Sequence, residues 1–327
     1  MARTLVTPSN RSPLVHILTW LFFFNSVFLL VIRQVTRSAS SAAFRIWDYL
    51  IIVAVVISFA QSILVSRAAA SGLGKPIQSL AESQRQSLFK ANYVATILLI
   101  CSMGISKLSA VYFTKSLSPD QTHYRTSNAI AGATLVWMTL GIIVAIFQCA
   151  PPRTWDTLDP GRCINLIAWW TFVGAGNVLT DLSIVIVQTL LLRGLQMARL
   201  SKVLLLAIFS FRLIVVGVTM AQVVIYHKSA VRQDMTLHLW LPVVLNEVVQ
   251  SMQISAACIP HIKRFLESLE SGMIRVEEPE AQGGTELQNT GRTGASGGSG
   301  RSGLSAKLTL GLRIPSRSHR MSEAERR

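Results

Sequence analysis

Charge is scarce in this chain. Asp, Glu, Lys and Arg together make up 14% of its 327 residues, about half the share usual in a soluble domain. What charge there is lies between long apolar blocks and in the C-terminal segment. An ordinary soluble core is excluded by that distribution, because several blocks reach the roughly 20 consecutive apolar residues that a helix needs to cross hydrocarbon. A cleavable leader is also not expected. Residues 1–13 are polar, and the first apolar run, Leu14–Ile32, is longer than a signal h-region and lacks a clear small-residue cleavage site. It reads as a retained signal-anchor helix. Neither a His-Glu-x-x-His pair nor a Gly-x-Ser-x-Gly elbow is present, and the 6 histidines do not cluster at ligand spacing. No enzyme, metal or cofactor is therefore expected.

What is present falls into seven apolar blocks: Leu14–Ile32, Trp47–Val65, Tyr93–Phe113, Ile130–Phe147, Ile167–Leu192, Val203–Ile225 and Leu237–Ile259. Lipid offers backbone amides no partners, so each block is expected to be helical. Trp47, Tyr49, Tyr112, Trp169, Trp170, Tyr226 and Trp240 stand near block ends, where aromatic side chains favour the headgroup zone. The expected fold is an all-α membrane protein, a seven-transmembrane helix bundle spanning residues 14–260. An amphipathic juxtamembrane helix follows over 261–274, where Ile262, Phe265, Leu266, Leu269 and Met273 recur at helical spacing. From residue 275 the chain is expected to be a disordered tail, acidic at first and then rich in Gly, Ser and Arg. Ser316, Ser318 and Ser322 lie among its arginines as candidate phosphorylation sites.

The formal charge of +15 is scattered through loops, which suits an anionic lipid surface and gives no nucleic-acid footprint. Lys and Arg divide almost evenly between the two sides of the bundle, so the positive-inside rule does not orient it. Cys149 and Cys163 bracket a short Pro- and Trp-bearing loop. Two free thiols and a disulfide are both open to them. A disulfide would stabilise the loop by about 3 kcal/mol in the chain-entropy model, and it would need an oxidising compartment. That places the loop and the N-terminus outside and the tail in the cytosol.

Four charged residues fall in the interior of the blocks, Lys107, Asp181, Arg212 and Glu247, while Asp48 lies at the start of the second block, near an interface. A charge at mid-bilayer costs about 2.5–3.5 kcal/mol on insertion scales, so these should face inward as a polar network. Lys107 with Asp181 and Arg212 with Glu247 is one pairing; the opposite pairing is equally open. Asn177, Thr180 and Gln188 accompany Asp181, while Asn246, Gln250 and Gln253 accompany Glu247.

Several segments resemble one family. They are Arg45–Leu50 (RIWDYL), Gly72–Lys75 (GLGK), Gly104–Tyr112 (GISKLSAVY), Cys149–Cys163 (CAPPRTWDTLDPGRC), Thr180–Leu182 (TDL), Leu195–Lys202 and Ile259–Ile274. In order and spacing these are similar to the fungal rhodopsin-like-domain integral membrane proteins, a seven-span group that includes receptor-like proteins. The resemblance covers residues 45–275. It implies seven helices with the N-terminus outside, and recurrent positions for Lys107 and Asp181. This chain departs from the pattern at Asp48-Tyr49, where members often carry paired acids, and after the TDL stretch, where it runs on through Gln188 in place of a proline.

The expected function is that of a receptor-like or sensor-like protein of the plasma membrane, with an unknown ligand and a cytosolic signalling partner at the tail. A small-solute transporter or channel lined by the four charges is the alternative. A retinal pigment is excluded, since the seventh block has no lysine and Lys263 follows it. The third block has no Asp-Arg-Tyr triplet, and the seventh ends Cys258-Ile259-Pro260-His261 in place of Asn-Pro-x-x-Tyr, so the usual marks of G-protein coupling are missing.

Overall fold

A computed structural model describes residues 11–39, 43–117, 120–156, 160–194, 199–230 and 239–277. The polar residues 1–10, the tail from 278 onward with its serines, and the side chains expected to make 261–274 amphipathic lie outside the described residues. Seven long helices make up the fold: α1 (Ser12–Ala39), α2 (Ile46–Ala70), α3 (Glu82–Lys115), α4 (Gln121–Ile146), α5 (Leu166–Gly194), α6 (Arg199–Ala230) and α7 (Trp240–Glu277). Each packs on the next in sequence, and α7 returns to α1 to close a ring. Further contacts of α3 with α5 and α7 make it the innermost helix.

Six of the seven, α1 to α6, are long and apolar enough to cross a membrane. The seventh block read from the sequence behaves differently. From Trp240 to Pro260 no residue of α7 is exposed, so this stretch meets neighbouring helices in place of lipid and can carry Asn, Glu, Gln and Ser. Helix α7 also continues unbroken to Glu277 through Pro260, so the backbone of 261–274 extends the seventh helix and is not a separate element. Pro260 cannot donate to the carbonyl four residues back. The neighbouring carbonyl, of Ala257, accepts a hydrogen bond from Arg33 Nη1 at 2.9 Å.

Apolar side chains cover much of the outside of the bundle. Ile17, Leu21, Phe24, Phe28, Val31 and Val35 line an exposed stripe of α1, and α4, α5 and α6 carry similar stripes. The core mixes apolar side chains such as Ile51, Leu99, Ile100 and Ile254 with polar and charged ones, and its largest fully buried side chains include Arg33, Arg212 and Lys107. Exposed apolar stripes around buried charges depart from the pattern of a soluble bundle; hydrocarbon outside and hydrogen-bonded polar groups between helices explain this one.

Two sequence motifs shape the end of the bundle where α1, α3, α5 and α7 begin. In GLGK, Leu73 N donates to Ala68 O and Gly72 N to Ala69 O, a Schellman closure of α2 that needs a left-handed residue at Gly72, whose φ is +113°. The loop then holds α1, because Ser12 Oγ donates to Leu73 O at 2.7 Å and Arg11 N to Gly74 O at 3.2 Å. In the cysteine loop, Cys149 and Cys163 are disulfide-bonded, 2.08 Å between sulfurs. Backbone bonds from Ala150 N to Arg162 O and from Ile164 N to Gln148 O flank the bridge. Trp155 folds from this loop onto the core, with Lys90 Nζ 4.7 Å from its ring centroid.

Candidate functional site

Asp181 is the centre of the interior. On α5, Asn177, Thr180, Asp181 and Gln188 share the helical face directed at the neighbouring helices, and all four are buried. The Asp181 carboxylate takes Lys107 Nζ of α3 at 3.1 Å, Arg212 Nη1 of α6 at 2.8 Å and Gln253 Nε2 of α7 at 2.6 Å. Four helices therefore meet on one carboxylate. Lys107 also donates to Asn177 O at 2.7 Å and to Thr180 Oγ1 at 2.6 Å, and its ammonium lies 5.3 Å from the Trp137 ring centroid. That ring reaches the centre because Gly176 faces it: a Cβ at Gly176 would fall 2.0 Å from Trp137 Cδ1. The centre carries two cations and one anion, and Arg212 Nη2 has no protein partner.

Above it, towards the disulfide loop, lies a cavity of about 50 Å³ walled by α3, α5, α6, α7 and that loop. Aromatic side chains of Tyr93, Trp155, Trp169, Trp170 and Tyr226 surround it, and Asn92, Thr96, Gln148 and Asn246 are its neutral polar groups. Among the described residues, no Lys, Arg, Asp or Glu lines it. A volume of this size holds a few waters. Asn246 accepts a hydrogen bond from Gln222 and stands one turn from Gln250 and two from Gln253 on the same face of α7. The cavity and the charge centre thus share one helical stripe. Gln250, between them, is 1% exposed, and neither of its amide atoms has a protein partner.

Glu247 stands apart from this centre. Its Oε1 accepts from Gln61 Nε2 of α2 at 2.5 Å, and neither Lys107 nor Arg212 pairs with it. The pairing of Arg212 with Glu247 is therefore replaced by two cations on Asp181, and the four charges do not form one network.

A second charge cluster closes the opposite end of the bundle. Asp48 of α2 takes Arg33 Nη2 at 3.0 Å and Arg37 Nη1 at 2.7 Å, both from α1. The same carboxylate caps α2 through Arg45 N, at 3.0 Å. In the sequence, Arg33 and Arg37 fall after the end of the first apolar block at Ile32, and Asp48 stands at the start of the second. In the structure α1 runs two turns past its apolar block, and Arg33 and Asp48 are 1% and 0% exposed. The overlooked signal is the spacing of four between the two arginines, which puts both on one helical face. Gln188, at the departure from the family pattern, donates to Thr114 Oγ1 of α3 at 3.0 Å.

A ring of seven helices, apolar towards lipid and holding buried ion pairs in its core, defines a seven-helix integral membrane protein. Within that class, residues 32–268 match the fungal rhodopsin domain, and the chain belongs to that family. No curated protein and no solved structure matches it.

Proposed function

We propose that this protein is a receptor-like sensor of the plasma membrane, with the disulfide loop and N-terminus outside and the tail in the cytosol. The observation that carries the reading is the connection between cavity and charge centre. A ligand entering beneath the disulfide loop meets Asn246 of α7, and two turns further along the same face Gln253 bonds Asp181, on which α3, α5 and α6 converge. Small displacements of α7 are thereby passed to three other helices at once. Interfaces of this kind are bistable more often than continuously deformable. The neutral aromatic lining suits a small uncharged molecule that hydrogen-bonds to amides.

The test uses cells with a cytosolic cyclic-nucleotide or Ca²⁺ reporter, exposed to a panel of small uncharged amphiphiles. A response abolished by Asn246→Leu, with surface expression unchanged, is the expected result. Accumulation of a compound in proteoliposomes with no reporter signal would instead make the protein a carrier.

A further inference from the structure

Among the described residues, the bundle holds one buried carboxyl without a counter-charge. Glu247 is 3% exposed, and its protein partner is the neutral amide of Gln61. The buried cations are committed elsewhere: Lys107 and Arg212 to Asp181, and Arg33 and Arg37 to Asp48. Oxygens that accept nothing stand near this carboxyl. Gln61 Oε1 belongs to the amide already touching it, and Gln250 Oε1 lies one turn along α7, where residues three apart are neighbours. Gln61 and Gln250 are 2% and 1% exposed.

A carboxylate among amide oxygens is a donor set for a hard cation. We propose that Glu247, Gln61 and Gln250 form a binding site for a monovalent metal cation, Na⁺ first, between α2 and α7. One charge on the ion balances one carboxylate. A divalent ion would leave a net positive charge inside a lipid-enclosed bundle that already has an unbalanced cation at Asp181. The site goes beyond the receptor reading and does not rest on it. Gln250 also lies between Asn246 and Gln253, so an ion here would engage the helix face that joins the cavity to the charge centre.

The experiment follows thermal unfolding of the full chain in detergent, with NaCl exchanged for choline chloride at constant ionic strength. Na⁺ should raise the transition saturably by roughly 3–6 °C, and choline should not. Glu247→Gln should remove the rise, and Gln250→Leu should weaken its Na⁺ midpoint at least about threefold, since one of few donors is lost. Identical wild-type transitions in the two salts would overturn the site, as would a Na⁺ effect that survives in Glu247→Gln. A rise that follows pH and ignores Na⁺ also overturns it and assigns the compensating charge to a proton. Should Glu247→Gln fail to fold, the wild-type salt comparison and Gln250→Leu decide between the same outcomes.

Discussion

Asp181 and Glu247 are both carboxyls buried inside the same bundle, yet their surroundings are opposite. Asp181 is gripped by an ammonium, a guanidinium and an amide from three helices; Glu247 touches a single amide from one. The difference separates two uses of polarity within a membrane. A carboxylate that satisfies two cations holds the bundle together, because removing it strands both. A carboxyl with one neutral partner contributes little to holding helices, and its need for a positive charge makes it a place where something from solution can act.

The comparison breaks most sharply at Asp181. Asp181→Ala leaves Lys107 and Arg212 buried without a counter-charge, and unpairing a buried ion costs about 3–5 kcal/mol. The expected result is little or no monodisperse protein on size exclusion. Lys107→Met should cost far less, about 1 kcal/mol, because it leaves one Asp181–Arg212 pair and removes the excess cation. An inverse order, with Lys107→Met the more damaging, would show that the ammonium and not the carboxylate organises the centre. Exchange of Lys107 and Asp181 should rescue only in part, since it sets a lysine against Arg212.

The cluster at Asp48 is intermediate. Asp48→Asn removes the counter-charge of Arg33 and Arg37 while preserving a side-chain acceptor for Arg45 N. Arg37 is 12% exposed and sits at the bundle's end, where its guanidinium can reach water. A loss of about 2 kcal/mol is expected, less than at Asp181. Thermal unfolding of Asp48→Asn and Asp181→Asn side by side checks the order, and equal losses would remove the distinction between the two clusters.

The spans were readable in the sequence because lipid imposes a length and an apolar composition on each helix separately. Pairing was not, because it depends on depth and rotation across helices far apart in the chain. Depth alone would have helped. At 1.5 Å per residue from the disulfide end, Asp181, Gln253 and Arg212 lie about 22, 20 and 27 Å down their helices, whereas Glu247 lies about 10 Å and Gln61 about 14 Å. Glu247 is thus level with Gln61 and too shallow for Arg212. The burial of α7 was hidden for a different reason: its Asn246, Glu247, Gln250 and Gln253 lower its hydropathy, and only the closed ring shows that they face protein. Arg33 was hidden by the end of the apolar block at Ile32, since helices outlast apolar runs where another helix supplies a carboxylate.

The smallest effect belongs to Glu247. In choline, where no Na⁺ is offered, Glu247→Gln replaces a carboxyl by an amide of the same shape, and its oxygen still accepts from Gln61 Nε2. The mutant is relieved of placing a charge in a low-dielectric interior, a cost that Asp181 avoids through its cations. Its unfolding temperature should therefore equal or exceed that of the wild type, within a change of about 1 kcal/mol. Asp181→Asn in the same medium should lose several times as much, although the chemical change is identical. A large loss at both positions would mean that Glu247 has a structural role equal to that of Asp181, and the contrast between a holding carboxylate and an available one would fail.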